Sequence, residues 1–371
     1  MTSRLFSPLE LKGLRLANRI VVSPMCQYSA DEGSANDWHM QHLGSLSLSG
    51  AGLVMIEATG VSATGRITHG CLGLFSDANE AALARVLTAC REFSPARFGI
   101  QLAHAGRKGS ARVPWVGVTA LPPEENPWQT GAPSAIPFAE GWPAPQALDE
   151  AGLARIREDF VATAKRAARL GIDIAELHAA HGYLLHEFVS PVSNRREDRY
   201  GDSAEARMRF PLEVAEAVRA VWPAERPLGA RITGSDWLDD GLTVEDAVAF
   251  ARALKARGFD YVCVSSGGII PKTNMPSGPG YNVPLAERVR AEAGIATRVV
   301  GMIADPHQAE EIVAEGRADL VAIARGFIDD PRWPWHAAEA LGADIAYPVQ
   351  YQRGKANVWP GAKLARARIS A

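Results

Sequence analysis

Eight short apolar runs, separated by stretches of helical or loop character, constrain what this chain can fold into more than any other feature. They are RIVVSP (19–24), GLVMIEA (52–58), FGIQLAH (98–104), DIAELH (173–178), PLGARI (227–232), DYVCVSS (260–266), TRVVGMI (297–303) and ADLVAIAR (318–325). Runs this short and this continuously apolar suit parallel strands covered on both faces. Helical periodicity fills the gaps at Asn79 to Phe93, Gly152 to Leu170, Ala204 to Trp222, Thr243 to Arg257 and Asp305 to Glu315. The segments RLGID, ARGFD and AEGRAD place glycine where a helix must turn back into a sheet. Eight such units predict an α/β chain of the (β/α)8 TIM-barrel class, one domain over residues 1–371. An open doubly wound sheet would carry a GxGxxG turn after its first strand. The sequence has none, and it has no GxxxxGK[ST] loop.

Residues 1–18 precede the first run and are expected to form a small hairpin cap over the barrel bottom. Two insertions break the rhythm: residues 105–150, rich in Pro, Gly and Trp, after the third strand, and residues 179–203 after the fourth. Both fall on the C-terminal face, where barrel enzymes assemble their sites, so both are expected to be substrate-shaping lids. Trp115, Trp128 and Trp142 argue against a disordered decoration.

Composition narrows the function classes. A net charge of -3 leaves no basic stripe for a phosphodiester backbone, so nucleic acid is not expected as a partner. Cys26, Cys71, Cys90 and Cys263 are far apart with no CxxC pair, which argues against iron–sulfur clusters, structural zinc and disulfides and fits a reducing cytoplasm. The start MTSRLFSPLELKGLRL lacks an apolar segment after its charges, and no run reaches membrane-spanning length, so neither export nor insertion is expected.

Polar residues stand where a barrel core should be apolar. Glu176 shares the inward face of its strand with His178, and Arg231 ends the neighbouring fifth strand. A buried arginine requires an anion, which either Glu176 or a bound ligand can supply. Gln101 and Glu57 are expected to extend the polar ring. Strands seven and eight end VGMIAD and AIARGF, and Arg325 beside these small residues suits a phosphoryl group, with Asp329 or Asp330 as alternative partners. Pro24 halts the first strand, leaving Cys26 and Tyr28 at the same mouth.

The stretch ELHAAHGYLLHEF crowds His178, His181 and Tyr183 together. HxxH at a strand end is not the helical HExxH motif, and a metal would need a third ligand such as Glu176 or His104. A proton-handling site uses the same residues more fully. Two imidazoles donating to one carbonyl oxygen stabilise the charge that develops there, and a tyrosine with an ordinary pKa of about 10 can protonate the carbon beside the carbonyl. That chemistry needs a hydride source.

Beyond these residues, long segments in order resemble the old yellow enzyme family of flavin-dependent ene-reductases, in its thermophilic-like and xenobiotic-reductase subclass. They are LFSPLELKGLRLANRIVVSPMCQYSA, IQLAHAGRK, ELHAAHGYLLHEFVSPVSNRREDRYGDS, GYNVPLAERVR, GMIADPHQAEEIVAEGRADLVAIARGFIDDPRW and PVQYQRG. The resemblance implies noncovalent FMN, with Pro24, Met25 and Cys26 on the flavin ring, Cys26 tuning its potential, Ala58 and Gln101 at the ring edge and His178 beside it. It further implies Arg231 near the ring's anionic edge, and Gly301, Ala324 and Arg325 around the phosphate.

On the substrate side, the resemblance implies that His178 and His181 bind a carbonyl, Tyr183 donates the proton and Tyr28 lines the pocket. Arg353 reaches a neighbouring subunit's site in a homodimer or homotetramer, and the tail from 354 to 371 lies near that interface. The implied activity is reduction of an activated C=C bond of α,β-unsaturated carbonyl or nitro compounds, driven by NADPH or NADH. Two departures stand out: Asp202 where the family often has a second glycine, and Ala324 where it often has glycine. A metal-dependent barrel hydrolase or lyase and a noncatalytic flavin-binding barrel remain the alternatives.

Overall fold

An antiparallel hairpin, β1 (Leu9–Leu11) and β2 (Leu14–Leu16), leads into the barrel strands β3 (Ile20–Val22), β4 (Leu53–Gly60) and β5 (Arg97–Ala103). A two-residue pair, β6 (Gly131–Ala132) and β7 (Gln146–Ala147), lies in the first insertion. The strands β8 (Ile174–Ala179), β9 (Leu228–Thr233), β10 (Tyr261–Ser265), β11 (Ala296–Val300) and β12 (Leu320–Ile323) complete the barrel. In this computed structural model, which describes residues 3–362 and residue 364, the eight barrel strands form one closed parallel sheet. Closure comes where β12 pairs with β3, Ala322 opposite Val21. The eight expected runs are these eight strands.

The helices are α1 (Asp37–Ser47), α2 (Asp77–Phe93), α3 (Glu150–Arg169), α4 (Leu184–Val189), α5 (Ala204–Val221), α6 (Val244–Ala256), α7 (Val283–Ala293), α8 (Pro306–Ala314), α9 (Arg325–Asp329) and α10 (Trp333–Ala340). The five expected helices are α2, α3, α5, α6 and α8. Each opens on a side-chain cap, from Ser76, Asp149, Ser203, Thr243 and Asp305, which satisfies an amide that no helical carbonyl can reach. The periodicity did not reveal α1, whose apolar face is interrupted by His39, His42 and Gly44, or α4, α7, α9 and α10.

Strand alternation divides the core. Side chains facing the helices form the larger cluster, while Val21, Leu53, Met55, Ile174, Tyr261, Leu320 and Ala322 fill the lower barrel. Leu11 and Leu16 of the hairpin are buried against this inner cluster, so the expected cap is present. Each such leucine contributes about 1.5–3 kcal/mol of burial, enough to hold a two-stranded hairpin in place as a plug.

One expectation fails at β4. Met55 pairs with Gly99 and Ile56 with Ile100, but Ala58, not Glu57, pairs with Gln101. This bulge turns Glu57 out of the barrel, where its carboxylate accepts from the Gln27 amide at 3.0 Å and lies 3.5 Å from His39 on α1. Glu57 therefore anchors the loop after β3 instead of joining the inner ring.

The insertions are ordered by specific ties. The Arg196 guanidinium donates to Pro133 O at 3.0 Å and Leu148 O at 2.6 Å, fastening one insertion to the other. Trp128 donates to Thr64 O at 3.0 Å, and Trp142 packs edge-on against Phe138 at 5.1 Å. Trp115 is 68% exposed and leans edge-on against Tyr28 with ring centroids 5.9 Å apart. Among the described residues no helix is long and apolar enough to cross a membrane, and all four cysteines are free. Of the expected interface tail, Lys363 and residues 365–371 lie outside the described residues.

Candidate active site

The site is built at the C-terminal mouth of the barrel. Chain leaving β3 carries Pro24, Met25, Cys26 and Tyr28, and Ala58 lies just past the bulge in β4. Gln101 lies on the inward row of β5 opposite Glu176, and His178 pairs directly with Arg231 across β8 and β9. Ser265 ends β10, Gly301 follows β11, and Ala324 and Arg325 follow β12.

Arg231 does not meet Glu176, contrary to the sequence expectation. The Glu176 carboxylate accepts from Gln101 Nε2 at 2.9 Å and Tyr261 OH at 2.9 Å, and it pairs with Arg298, all inside the barrel. Arg231 stands one layer higher, opposite His178, where its Nη2 reaches only Ser265 Oγ at 3.5 Å and its buried Nε has no partner. An unpaired buried guanidinium beside an open mouth calls for an acceptor from a bound molecule.

Around this cation the titratable groups are held neutral. Burial, and next the Arg231 charge, push His178 and His181 well below the ordinary histidine range. Burial pushes the Tyr183 phenol up, with Cys26 and Tyr28 adding to it. Burial and then Glu57 push the Cys26 thiol up, so the sulfur is a thiol and not a ready nucleophile. Tyr28, raised mainly by burial, is likewise a neutral phenol.

His178 lies between its partners, 5.1 Å from the His181 ring centroid and 4.8 Å from that of Tyr183, edge-on to each. Its Nδ1 accepts the Ala180 amide at 3.3 Å, so a neutral ring carries its proton on Nε2. His181 Nε2 stands 2.7 Å from Ser265 Oγ; with that hydroxyl donating, Nδ1 of His181 carries the ring proton. Both rings can then offer one N–H to a shared acceptor. Among the described residues, no cluster of three or more His, Cys, Asp and Glu side chains could hold a metal ion.

The β11 and β12 ends are also open. Gly301 has φ 142°, and a Cβ there would come within 3.0 Å of Asn282 Nδ2. Arg325 is exposed and pairs with neither Asp329 nor Asp330; Asp330 is taken by His336 at 2.5 Å. A phosphorylated, acceptor-rich ring compound fits this donor set, with the Arg231 guanidinium under the mouth and the Arg325 guanidinium at its rim.

Residues 4–344 match the NADH:flavin oxidoreductase / NADH oxidase family. The chain belongs to that family. It is 45% identical over 356 residues to the NADPH dehydrogenase of Geobacillus thermodenitrificans, covering 95% of this chain and 99% of that one. With the NADPH dehydrogenase of Bacillus subtilis it shares 41% over 356 residues, covering 95% and 100%. The solved structure of morphinone reductase superposes with a TM-score of 0.76 at 30% identity, covering 94% of this chain and 92% of that one. An old yellow enzyme homologue from Zymomonas mobilis, at 23% identity and a TM-score of 0.76 over 93% and 94%, shows the same fold. This family member is thus an FMN-dependent NAD(P)H oxidoreductase of the old yellow enzyme type.

Arg353 is the one expected site residue that the chain does not bring to its own mouth. It is exposed on a turn after α10, in a segment where Tyr351 packs on Trp335 and Arg332. The preceding residues 344–348 line a cavity of about 400 Å³ with Asn18, Gly52 and Ala96, at the opposite, N-terminal ends of the strands.

Sequence reasoning missed Lys108, Ser265 and His186. Lys108 Nζ donates to His181 O at 2.7 Å and Gly268 O at 3.0 Å and lies 5.0 Å from the Tyr183 ring centroid. Burial lowers its pKa to about 8. Its position, five residues past the end of β5, offered a signal, because a lysine so close to a strand end borders the mouth.

Proposed function

We propose that this oxidoreductase reduces the activated C=C bond of α,β-unsaturated carbonyl or nitro compounds. The observation that carries the reading is the convergence of two neutral imidazoles and a neutral phenol, His178, His181 and Tyr183, above the unpaired Arg231. Bound FMN, reduced by NADPH or NADH, supplies the hydride for the β-carbon. His178 and His181 hold the substrate's carbonyl or nitro oxygen with two N–H groups and oppose the charge that grows there. Tyr183 gives its proton to the α-carbon, a role open to a phenol that burial keeps protonated at neutral pH.

The same chain holds the cofactor in this reading. Pro24, Met25, Cys26, Ala58, Gln101 and His178 would hold the flavin ring. Arg231 would balance negative charge on the ring, while Gly301, Ala324 and Arg325 would take the phosphate. The Ala324 methyl narrows the approach relative to glycine but leaves its amide available. Tyr28, with Trp115 leaning on it, walls the substrate space and limits water. Arg353, exposed on the segment after α10, serves a second subunit's site in a homodimer or homotetramer. The relative named morphinone reductase, at 30% identity, favours a reductive role.

The test is the flavin spectrum under anaerobic conditions. NADPH should bleach the visible bands, and 2-cyclohexen-1-one should restore them at a rate proportional to its concentration. Bands that return only with oxygen would contradict the alkene reading.

A further inference from the structure

His181 and Tyr183 sit on a turn in which every amide from Ala180 to Leu184 is taken by a different group. The Ala180 amide donates to His178 Nδ1 at 3.3 Å, that of His181 to Thr233 Oγ1 at 3.2 Å and that of Gly182 to His186 Nδ1 at 2.8 Å. The amides of Tyr183 and Leu184 donate to Ala180 O at 3.2 Å and His104 O at 3.0 Å. The turn needs this support, because His181 at φ 60° and Gly182 at φ 73° are consecutive left-handed residues. A side chain other than glycine holds that conformation only when its surroundings impose it.

His186, buried on α4, is the least expected of these partners. Thr233 Oγ1 accepts the His181 amide and so can turn its own proton to His186 Nδ1, 3.4 Å away. With donors on Nδ1, the ring proton must be on Nε2, which stands 3.1 Å from Asp236 Oδ1, off hydrogen-bond alignment, with neither atom bonded to any other described group. The other Asp236 oxygen accepts from Ser190 Oγ at 2.6 Å and the Leu242 amide at 2.9 Å. Burial alone would raise the Asp236 pKa; His186, Ser190 and Leu242 outweigh it and hold the carboxyl below its ordinary value.

We propose that Asp236 and His186 are positioning residues: Asp236 sets the imidazole tautomer, the imidazole holds the Gly182 amide, and that amide fixes His181 and Tyr183 against the substrate. The substrate part of this rests on the alkene-reducing function proposed above. Neither side chain reaches the mouth. Both act through the turn.

Asp236→Asn tests the tautomer at constant shape. One side-chain oxygen must go on accepting from Ser190 and Leu242, so the amide nitrogen faces His186 and drives the ring proton to Nδ1, against the Gly182 N–H. His186→Asn instead keeps an oxygen close to the old Nδ1 position, independent of residue 236. The readouts, on FMN-loaded protein, are amide hydrogen exchange over residues 180–184 and the Kd of cyclohexanone from its perturbation of the flavin spectrum.

Asp236→Asn should speed exchange at Gly182 and raise the Kd about tenfold, while His186→Asn stays near the parent. In the His186→Asn background, Asp236→Asn should add less than about twofold. An Asp236→Asn effect of equal size in both backgrounds, or unchanged exchange, would overturn the coupling. Should Asp236→Asn not fold, His186→Leu against His186→Asn makes the same test, since only the asparagine keeps an acceptor; equal loss of protection in both sinks the proposal. A parent enzyme that shows the exchange pattern but binds no cyclohexanone would refute the substrate reading and leave the tautomer coupling standing.

Discussion

Glu176 and Arg298 form an ion pair sealed inside the barrel, with neither side chain exposed to solvent. Tyr261 and Gln101 donate to the same carboxylate, which leaves it fully committed below the mouth. The consequence is felt one layer higher, where Arg231 keeps a charge that no carboxylate among the described residues pairs with. Removing Arg298 alone should strand the buried Glu176 charge. Arg298→Met is expected to cost about 3–5 kcal/mol, and adding Glu176→Gln should recover a large part of it. Denaturant unfolding of the two variants measures this, and a single-variant loss below about 1 kcal/mol would contradict it.

Stability should be greatest near pH 6.5. Burial lowers His42 and His104 from 6.5 to about 4 and drives His178 and His181 well below their ordinary value. Between these values the unfolded chain binds protons that the folded chain refuses, so their contribution is complete above 6.5 and is lost as pH falls towards 4. Glu187 works in the opposite sense. Burial raises its carboxyl from 4.5 to about 8, so its contribution is complete below 4.5 and is lost as pH rises to about 8. Unfolding free energies should fall on both sides of the maximum, and Glu187→Gln should flatten the alkaline side while steepening the acid side between pH 4.5 and 6.5. A profile that does not fall between pH 6.5 and pH 5 would exclude the histidine part.

The barrel was legible because eight continuous apolar runs admit few other arrangements, and the mouth because Gln101, His178 and Arg231 lie in the C-terminal halves of their strands while Cys26 and Arg325 follow theirs. The partner of Glu176 was not. Arg298 lies in TRVVGMI, a run without alternation, so nothing in it says which side chain faces inward. The bulge that expels Glu57 is equally silent, because it inserts one residue without glycine or proline to mark it. His186 fell within residues 179–203, read as an insertion, and its contact with Asp236 joins α4 to the loop after β9, which only the closed barrel brings together.

Arg353→Ala should raise the KM for an enone about tenfold while leaving FMN content and the rate of flavin reduction by NADPH unchanged. The reason is positional: the residue is exposed on a segment that packs against the far end of the barrel, so under the proposed role it would act in a site that another subunit presents. Steady-state kinetics with several enones, alongside sedimentation to establish a multimer, checks the role. Unchanged KM with each enone, or full activity in a monomer, would remove Arg353 from the site.

Tyr183→Phe separates the two halves of the reaction. Only reoxidation by an alkene requires a proton at the α-carbon, so that half should slow by about 10²–10⁴. Reduction of the flavin by NADPH should keep its rate, since the phenol is not needed to accept hydride and phenylalanine preserves the edge-on contact with His178 at 4.8 Å. Anaerobic stopped-flow measurement of each half-reaction distinguishes these outcomes. Equal slowing of both halves would mean that Tyr183 shapes the site without donating the proton, and the donor would have to be sought in solvent or in Tyr28 across the mouth.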